Sequence, residues 1–311
     1  MMPKKYREKV GDRGFADKPI GTGPYKMVEY KQDAYWKAEA VNKHFRKTPE
    51  IKTIKVIYAP DHPTRLAMLK AGEADIVELN PPNVPEVQSD PSYRIVLNKY
   101  THLAALIYAD LDKPEPSPFK DIRVREAVSL AVDREGITKK ILFGMAEPYG
   151  DFCSPITLGH DPKIKPDPYD PQRAKAVIKA KVEIMEQAQY MSKLVAKNLK
   201  GIFMQMLWYG PSRSASGDAM THFLPGNPYC YNSTPEIEKE ILRGNTARTD
   251  KEMTEVGKRL SKVIRESRIK TFLWANYFPY ALGPRIEYWE PALAALPPSS
   301  YDLIRLKKQY Q

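Results

Sequence analysis

The amino-acid sequence predicts an α/β protein in which helices cover mixed sheets and the chain forms two lobes. A β-rich segment, a helix capped by Asp61 and a second β segment follow one another between Ile51 and Leu79, an order typical of βαβ units. The continuous apolar segment from Ile202 to Trp208 indicates a strand that is covered on both faces. With 311 residues, the chain is long enough for two lobes rather than one.

The first predicted strands are joined by a turn that contains two glycines. Gly21 and Gly23 allow backbone angles that other residues avoid, and Pro24 directs the chain into a strand that begins at Tyr25. The turn is not followed by the Gly-Lys-Ser/Thr sequence of a nucleotide-binding loop. A structural role is therefore predicted for it.

The middle of the chain predicts a strand, an extended crossing and a pair of helices. The segment from Arg94 to Asp110 has a β-favouring composition, and three prolines hold Leu111 to Lys120 extended. Such a crossing suits a hinge between the lobes. Asp121 and Asp133 are predicted to cap two short helices, the second of which ends at Gly144.

The second half of the chain predicts a long loop followed by helices and a returning strand. Met145 to Asp170 shows little periodicity, whereas Met185 to Lys200 has the apolar spacing of a helix. Thr234 is expected to cap a third helix, and Thr249 to Glu252 forms a capping box for a fourth. The aromatic segment from Thr271 to Tyr280 is predicted to be a strand that returns the chain to the first lobe.

The formal net charge of +11 raises the alternative of a nucleic-acid-binding protein, because a basic surface attracts polyanions. The 49 basic residues are interleaved with 38 acidic ones along the whole chain, which is the pattern of solvated helix faces. No recognised nucleic-acid-binding motif accompanies the charge.

Cys153 and Cys230 have no CxxC spacing, so two buried free thiols are favoured over a disulfide, which stays an open alternative.

The sequence gives little support to catalysis or to a metal site. The histidines show neither an HExxH motif nor a zinc-like spacing with a cysteine, and no GxSxG elbow is present. We therefore predict no enzyme activity, no cofactor and no metal. The five histidines are His44, His62, His102, His160 and His222.

Six segments, in a fixed order along the chain, resemble the extracellular solute-binding proteins of the peptide/nickel class, family 5. Members of this family are the capture subunits of peptide-type ABC transporters. The segments are PIGTGPYKMVEY (19–30), RLAMLKAGEADIVELNPP (65–82), PFKDIRVREAVSLAVDREGITKKILFGMAEP (118–148), YDPQRAKAVI (169–178), NSTPEIEKEI (232–241) and IEYWEP (286–291).

The resemblance implies a bilobal fold of the type II periplasmic-binding-protein class. Lobe I would comprise residues 1–108 and 281–311, and lobe II residues 109–280. The implied function is the capture of an oligopeptide or similar small solute between the lobes, for delivery to the permease subunits of an ABC transporter in transmembrane transport. The implied location is the periplasm or the extracellular side of a membrane, with contact to the membrane only through the permease or a lost lipid anchor. Nucleic acid is not among the partners that the resemblance implies.

The resemblance also implies a set of ligand-binding residues near the end of the apolar strand. In the family, an acidic residue in the loop after this strand receives the α-ammonium of the peptide, and aromatic residues wall the pocket. Asp218 and Trp208 match these positions, and Tyr209, Arg213 and Tyr108 complete the candidate set. A carboxylate suits the task because a buried ammonium must be paired. The alternative is that Asp218 only caps the following segment.

The chain departs from the family pattern in two places. It starts where family members are already well into the first lobe, without the apolar region of a signal peptide, and one strand-helix unit is missing around Ala180 to Val182. We therefore expect an N-terminally truncated member with an internal deletion, whose first lobe is incomplete. The alternative is a fragment without independent ligand binding, because missing strands expose sheet edges.

Overall fold

The computed structural model describes residues 3–174, 185–208, 214–292 and 300–311, and it divides the chain into two compact units. Unit 1 holds the described residues up to Asn98 and those from Phe278 onwards, and unit 2 runs from Lys99 to Tyr277. The proline-containing segment 111–120 thus lies within unit 2 and does not connect the units. The lobe boundaries at residues 108 and 281 stay a prediction.

The described residues form ten strands and ten α-helices. The strands are β1 (Tyr25–Lys31), β2 (Tyr35–Ala40), β3 (Thr53–Ile57), β4 (Ile76–Glu78), β5 (Arg94–Tyr108), β6 (Ala146–Pro148), β7 (Ile202–Trp208), β8 (Lys270–Leu282), β9 (Ile286–Tyr288) and β10 (Arg305–Leu306). The helices are α1 (Lys4–Asp17), α2 (His62–Lys70), α3 (Val84–Gln88), α4 (Ile122–Leu130), α5 (Arg134–Gly136), α6 (Pro171–Ala174), α7 (Gln187–Val195), α8 (Ala215–Phe223), α9 (Pro235–Thr246) and α10 (Asp250–Ser267).

Unit 1 contains a three-stranded antiparallel sheet in the order β1-β2-β3. β4 belongs to another sheet and pairs antiparallel with the end of β8, where Val77 lies opposite Ala281. The order strand, helix, strand predicted between residues 51 and 79 is present, but the prediction that its two strands form one βαβ unit is wrong. β4 finds its partner in a strand that returns from far along the chain, and a local sequence pattern carries no information on that pairing.

The core of unit 1 forms around the returning strand and the segment after it. Trp289 is 1% exposed and packs edge-on against Tyr280, with the ring centroids 5.4 Å apart. Arg94 ties β5 to the same segment, because its Nη2 donates to the carbonyl of Ile286 at 2.9 Å. The prediction that the Trp289 segment packs on the first lobe is confirmed.

Unit 2 places helices against the strands of a sheet. β5 and β7 pair antiparallel from His102 opposite Trp208 to Tyr108 opposite Ile202, and β6 pairs with the first half of β8. Phe152 and Phe223 are both fully buried in the core between these strands and helices α8, α9 and α10. Burial of one such side chain stabilises the fold by about 1.5–3 kcal/mol.

Four predicted helix caps of unit 2 are confirmed, since each forms a local hydrogen bond. Thr249 and Glu252 form the complete capping box of α10, and the Thr234 hydroxyl accepts from the backbone of α9. Asp121 and Asp133 cap α4 and α5 in the same way. Within the described residues, no helix is long and apolar enough to cross a membrane.

The region of the expected internal deletion is only partly covered by the structure. Ala180 to Val182 lie outside the described residues. Beyond them, α7 begins at Gln187 and ends at Val195, which is shorter than the helix predicted from Met185 to Lys200. Lys197 then takes a left-handed conformation at φ 58°, and this turn ends the helix before β7.

Candidate functional site

The residues that the sequence predicts to bind the ligand lie, apart from Tyr108, between the end of β7 and the first turn of α8. Trp208 is the last residue of β7. Tyr209 and Arg213 lie outside the described residues, so their ligand-binding roles stay predictions. The structure resumes at Ser214, which caps α8 by accepting a hydrogen bond from the Gly217 amide. The capping residue is thus Ser214, and the alternative that Asp218 caps this helix is wrong.

Asp218 lies in the first turn of α8, with its side chain turned into the protein. Its exposed fraction is 5%, and its Oδ2 accepts a hydrogen bond from the Thr157 hydroxyl at 3.0 Å. The N-terminal end of a helix stabilises a negative charge. The position therefore suits a carboxylate, although a ligand group that paired with it would have to approach a largely buried oxygen.

Tyr108 is placed apart from the end of β7. In the β5–β7 pair it lies opposite Ile202, six residues before Trp208, which corresponds to about 20 Å along a strand. Tyr108 is fully buried, and its hydroxyl lies 2.6 Å from that of Thr271. Burial raises its pKa to about 12. The structure therefore does not bring Tyr108 together with Trp208, and we leave it out of the proposed site.

A polar cluster that the sequence did not reveal lies in the loop after β6. Asp151 Oδ2 is 3.4 Å from His160 Nδ1 and 3.6 Å from Cys153 Sγ, and the Ser261 hydroxyl of α10 donates to the same oxygen at 3.1 Å. Asp151 and Cys153 are buried and His160 is partly buried. Burial raises the pKa of the Cys153 thiol, with further contributions from the charges of Asp151 and Asp218.

Backbone contacts hold this loop against α8 and α10. The Ala215 amide donates to the carbonyl of Leu158 at 3.0 Å, which joins the loop to the start of α8. The next residue, Gly159, has φ +101°, and a Cβ there would lie 2.5 Å from Gly257 Cα in α10. The close approach of two glycines thus places the residue before His160 directly against α10. The two glycines are visible in the sequence, but no local sequence pattern indicates that they contact each other.

A separate cavity of about 550 Å³ opens beside the start of α9 within unit 2. Lys197 lies in its wall, donates to the Cys230 carbonyl and sits 4.5 Å above the Tyr231 ring. Asp112 is also in the wall, and burial together with the nearby charge of Glu238 raises its pKa.

Cys153 and Cys230 are both free thiols, as favoured from the sequence.

The two α/β units and the buried carboxylate after an apolar strand fit a binding protein of the periplasmic type. Residues 1–197 match the family of bacterial extracellular solute-binding proteins, family 5 Middle. The chain belongs to this family. The match covers most of the chain but ends before Trp208, so the residues of the candidate site lie outside it.

Two curated relatives and one solved structure show the extent of the similarity. The chain is 26% identical to the dipeptide-binding protein of Escherichia coli K12 over 184 residues, which are 58% of this chain and 34% of that protein. It is 30% identical to di/tripeptide-binding protein 1 of Pseudomonas aeruginosa over 165 residues, which are 52% of this chain and 30% of that protein. The matched segments thus span about a third of each relative.

The solved structure is the ABC transporter-associated periplasmic binding protein DppA from Helicobacter pylori in complex with the peptide STSA. It superposes with a TM-score of 0.76 at 17% identity, over 99% of this chain and 68% of that chain. At this identity the similarity shows the fold, and the bilobal class predicted from the sequence is confirmed. These relatives give no support to the alternative of a nucleic-acid-binding protein.

Proposed function

We propose that this chain acts as the solute-binding component of a peptide-type ABC transporter and that its ligands are short peptides. The observation that carries the proposal is the family match over residues 1–197, together with the fold of a protein that was solved with a bound peptide. Binding would make or break no covalent bond. The free energy of binding would only stabilise the state that holds the ligand.

The proposed ligand site comprises Trp208, Tyr209, Arg213 and Asp218. Aromatic side chains at a strand end supply apolar contact area, and an arginine can pair with a carboxylate through two hydrogen bonds. Support for Asp218 comes from its position in the first turn of α8, where the helix end stabilises a negative charge. Its carboxylate would receive the peptide α-ammonium, and the main chain would supply contacts independent of the peptide sequence.

The proposed partners are the permease subunits of an ABC transporter, and the proposed location is the periplasm or the extracellular face of a membrane. Relatives with dipeptide- and di/tripeptide-binding names support this class of ligand. Delivery to a permease requires that the peptide-bound state is recognised in preference to the free state.

A thermal melt of the purified 311-residue chain, with and without a pool of di- to pentapeptides, tests the proposal. A ligand that binds only the native state must raise the melting temperature, and the rise must grow with ligand concentration. The same pool with acetylated N-termini is the control, because it lacks the α-ammonium. A cooperative melt that no peptide shifts would overturn the proposal, and a broad transition with exposed apolar surface would favour a fragment without independent binding.

A further inference from the structure

The cluster of Asp151, Cys153 and His160 combines three different metal-ligating side chains at one point of unit 2. All three ligand atoms lie within 4.8 Å of one another. Carboxylate oxygen, thiolate sulfur and imidazole nitrogen are the three donors that zinc sites in proteins use. The proposed peptide function does not involve this cluster, so its role requires a separate explanation.

The two distances from Asp151 to the other ligand atoms agree with a tetrahedral ion. Bonds of about 2.0–2.1 Å to oxygen and nitrogen and about 2.3 Å to sulfur place neighbouring ligand atoms about 3.3–3.6 Å apart. The structure has 3.4 Å between Asp151 Oδ2 and His160 Nδ1, and 3.6 Å between Asp151 Oδ2 and Cys153 Sγ. Two edges of the tetrahedron are therefore already formed.

Neighbouring groups orient the carboxylate of Asp151 and pack beside the other two residues. The Phe152 amide donates to Asp151 Oδ1 at 2.7 Å and the Ser261 hydroxyl donates to Oδ2 at 3.1 Å, so that the carboxylate is held from both sides. The Tyr149 hydroxyl donates to the Cys153 carbonyl at 2.8 Å and lies 3.0 Å from His160 Nδ1. The two hydrogen bonds to Asp151 are of the kind that preorganises a metal ligand and raises its affinity, whereas the contact of Tyr149 with Nδ1 would be replaced by the metal.

The charge of the cluster also favours a cation. Asp151 is 2% exposed, and in the described part of the chain its ion-pair partner is His160, with no lysine or arginine paired to it. A buried carboxylate requires a compensating charge. The side chain of His160 is 17% exposed, so the cluster has an edge near the surface through which an ion can enter.

From this geometry we propose that Asp151, Cys153 and His160 bind a divalent transition-metal ion of the zinc class. Thiolate and imidazole ligands select Zn²⁺ and its borderline-soft neighbours Co²⁺ and Ni²⁺ over Mg²⁺ and Ca²⁺, which prefer oxygen. On binding, the Cys153 thiol releases its proton to solvent, and His160 binds through Nδ1 with its proton on Nε2. Three protein ligands leave a fourth position for water. The sequence indicates no metal site because the Asp-x-Cys-x₆-His spacing matches no zinc motif.

A cobalt titration of the full chain tests the proposal. After treatment with a chelator, the protein should take up one equivalent of Co²⁺ with thiolate-to-cobalt charge-transfer absorption, and Zn²⁺ should displace the cobalt and remove the absorption. Cys153→Ser should abolish the charge-transfer band. Cys230→Ser, which removes the other buried thiol, is the matched control and should leave the band unchanged.

Two further variants keep the test decisive if Cys153→Ser does not fold. His160→Asn changes a partly exposed residue and should weaken cobalt binding at least tenfold, with the circular dichroism spectrum unchanged. Ser261→Ala removes only an orienting hydrogen bond and should weaken binding about 10–100-fold. The proposal is overturned if millimolar Co²⁺ produces no charge-transfer band, or if the band persists in folded Cys153→Ser or His160→Asn. The cluster would then be a hydrogen-bonded network that holds the loop to α10.

Discussion

Gly159 and Gly257 approach each other so closely that a Cβ added to Gly257 would lie 2.4 Å from Gly159 Cα. One glycine belongs to the loop after β6 and the other to the interior of α10. Their contact lets the loop lie directly against α10, because it can approach the helix this closely only where both side chains are absent. A helix-interior glycine normally destabilises a helix by about 0.5–1 kcal/mol relative to alanine. Gly257 therefore serves the contact and not the helix.

We expect Gly257→Ala to lower the free energy of unfolding by about 1–3 kcal/mol, because the added methyl group must push the loop away from α10. Urea unfolding measures the change. Lys258→Ala, at the exposed neighbouring position of the same helix, is the control and should change stability by less than about 0.5 kcal/mol. An increase in stability for Gly257→Ala, as helix propensity alone predicts, would contradict the close contact.

The sequence was informative where structure depends on neighbouring residues. The caps at Thr234 and Thr249 were predicted because each rests on groups a few residues apart. The pairing of β4 with β8 was not predicted, since the partner strand lies about 200 residues further along the chain. Local patterns give composition and period but not the identity of a distant partner strand.

In the candidate site, too, local features were predicted from the sequence and distant contacts were not. The apolar strand and the polar loop after it indicated the end of β7, and Asp218 does lie in the first turn of α8. The antiparallel register with β5 then sets Tyr108 at the other end of the strand pair, and a single sequence does not contain that register. The Asp151 cluster was missed because it depends on the fold of the loop and on Ser261 of α10, which lies 110 residues further along the chain.

A substitution of Asp167 tests how much an ion cluster contributes to the folding stability of unit 2. Its carboxylate accepts from Ser129 at 2.6 Å and from Arg268 at 2.8 Å, and it also pairs with Arg265. Burial acts to raise the pKa of Asp167, but the hydrogen bonds from Ser129 and Arg268 and the charges of the two arginines outweigh it and lower the pKa. We expect Asp167→Asn to reduce stability at neutral pH by about 2 kcal/mol.

The pH dependence of this effect has a defined sign. A carboxylate with a lowered folded-state pKa stabilises the protein at pH values above its unfolded pKa of about 3.9, and this stabilisation is lost as the pH falls through the folded value. The stability difference between wild type and Asp167→Asn should therefore shrink below about pH 4. Glu255→Gln, at an exposed position of α10, is the control. A difference that stays constant to low pH would mean that the charge of Asp167 contributes little.

Lys270 is a buried lysine at the start of β8 and predicts a pH response in the alkaline range. It is 4% exposed, its Nζ donates to the His222 carbonyl at 2.9 Å, and it lies 4.4 Å above the Phe223 ring. Burial lowers its pKa to about 7. Between pH 7 and about pH 10 the unfolded chain holds a proton on this lysine that the folded chain has lost, so folding stability should rise with pH.

The slope from Lys270 should approach 1.4 kcal/mol per pH unit within this window and vanish below it. Lys270→Met should remove this slope and stabilise the protein at pH 7, because an apolar side chain needs no hydration. Urea unfolding across the pH range measures both effects, and Lys262→Gln on the exposed face of α10 is the control. If wild type and Lys270→Met show parallel pH profiles, Lys270 remains protonated in the folded state.

The last prediction separates a ligand-binding role of Asp218 from a structural one. Asp218→Asn keeps the shape of the side chain but removes the charge that would pair with a peptide ammonium. If wild type binds peptides as proposed, we expect this variant to bind them about 10–100-fold more weakly, which corresponds to about 1.5–3 kcal/mol for a hydrogen bond to a charged group. Isothermal titration calorimetry with one peptide from the active pool measures the change.

Thr157→Val is the matched variant, since it removes the hydrogen bond to Asp218 Oδ2 and leaves the charge in place. It should lower the stability by about 1 kcal/mol and change peptide affinity by less than about threefold. Equal peptide affinity in Asp218→Asn and wild type, with stability lowered in both variants, would assign Asp218 to the fold. The ammonium partner would then have to come from another residue. Weaker binding in Asp218→Asn alone, and only for peptides with a free N-terminus, would identify the carboxylate as that partner.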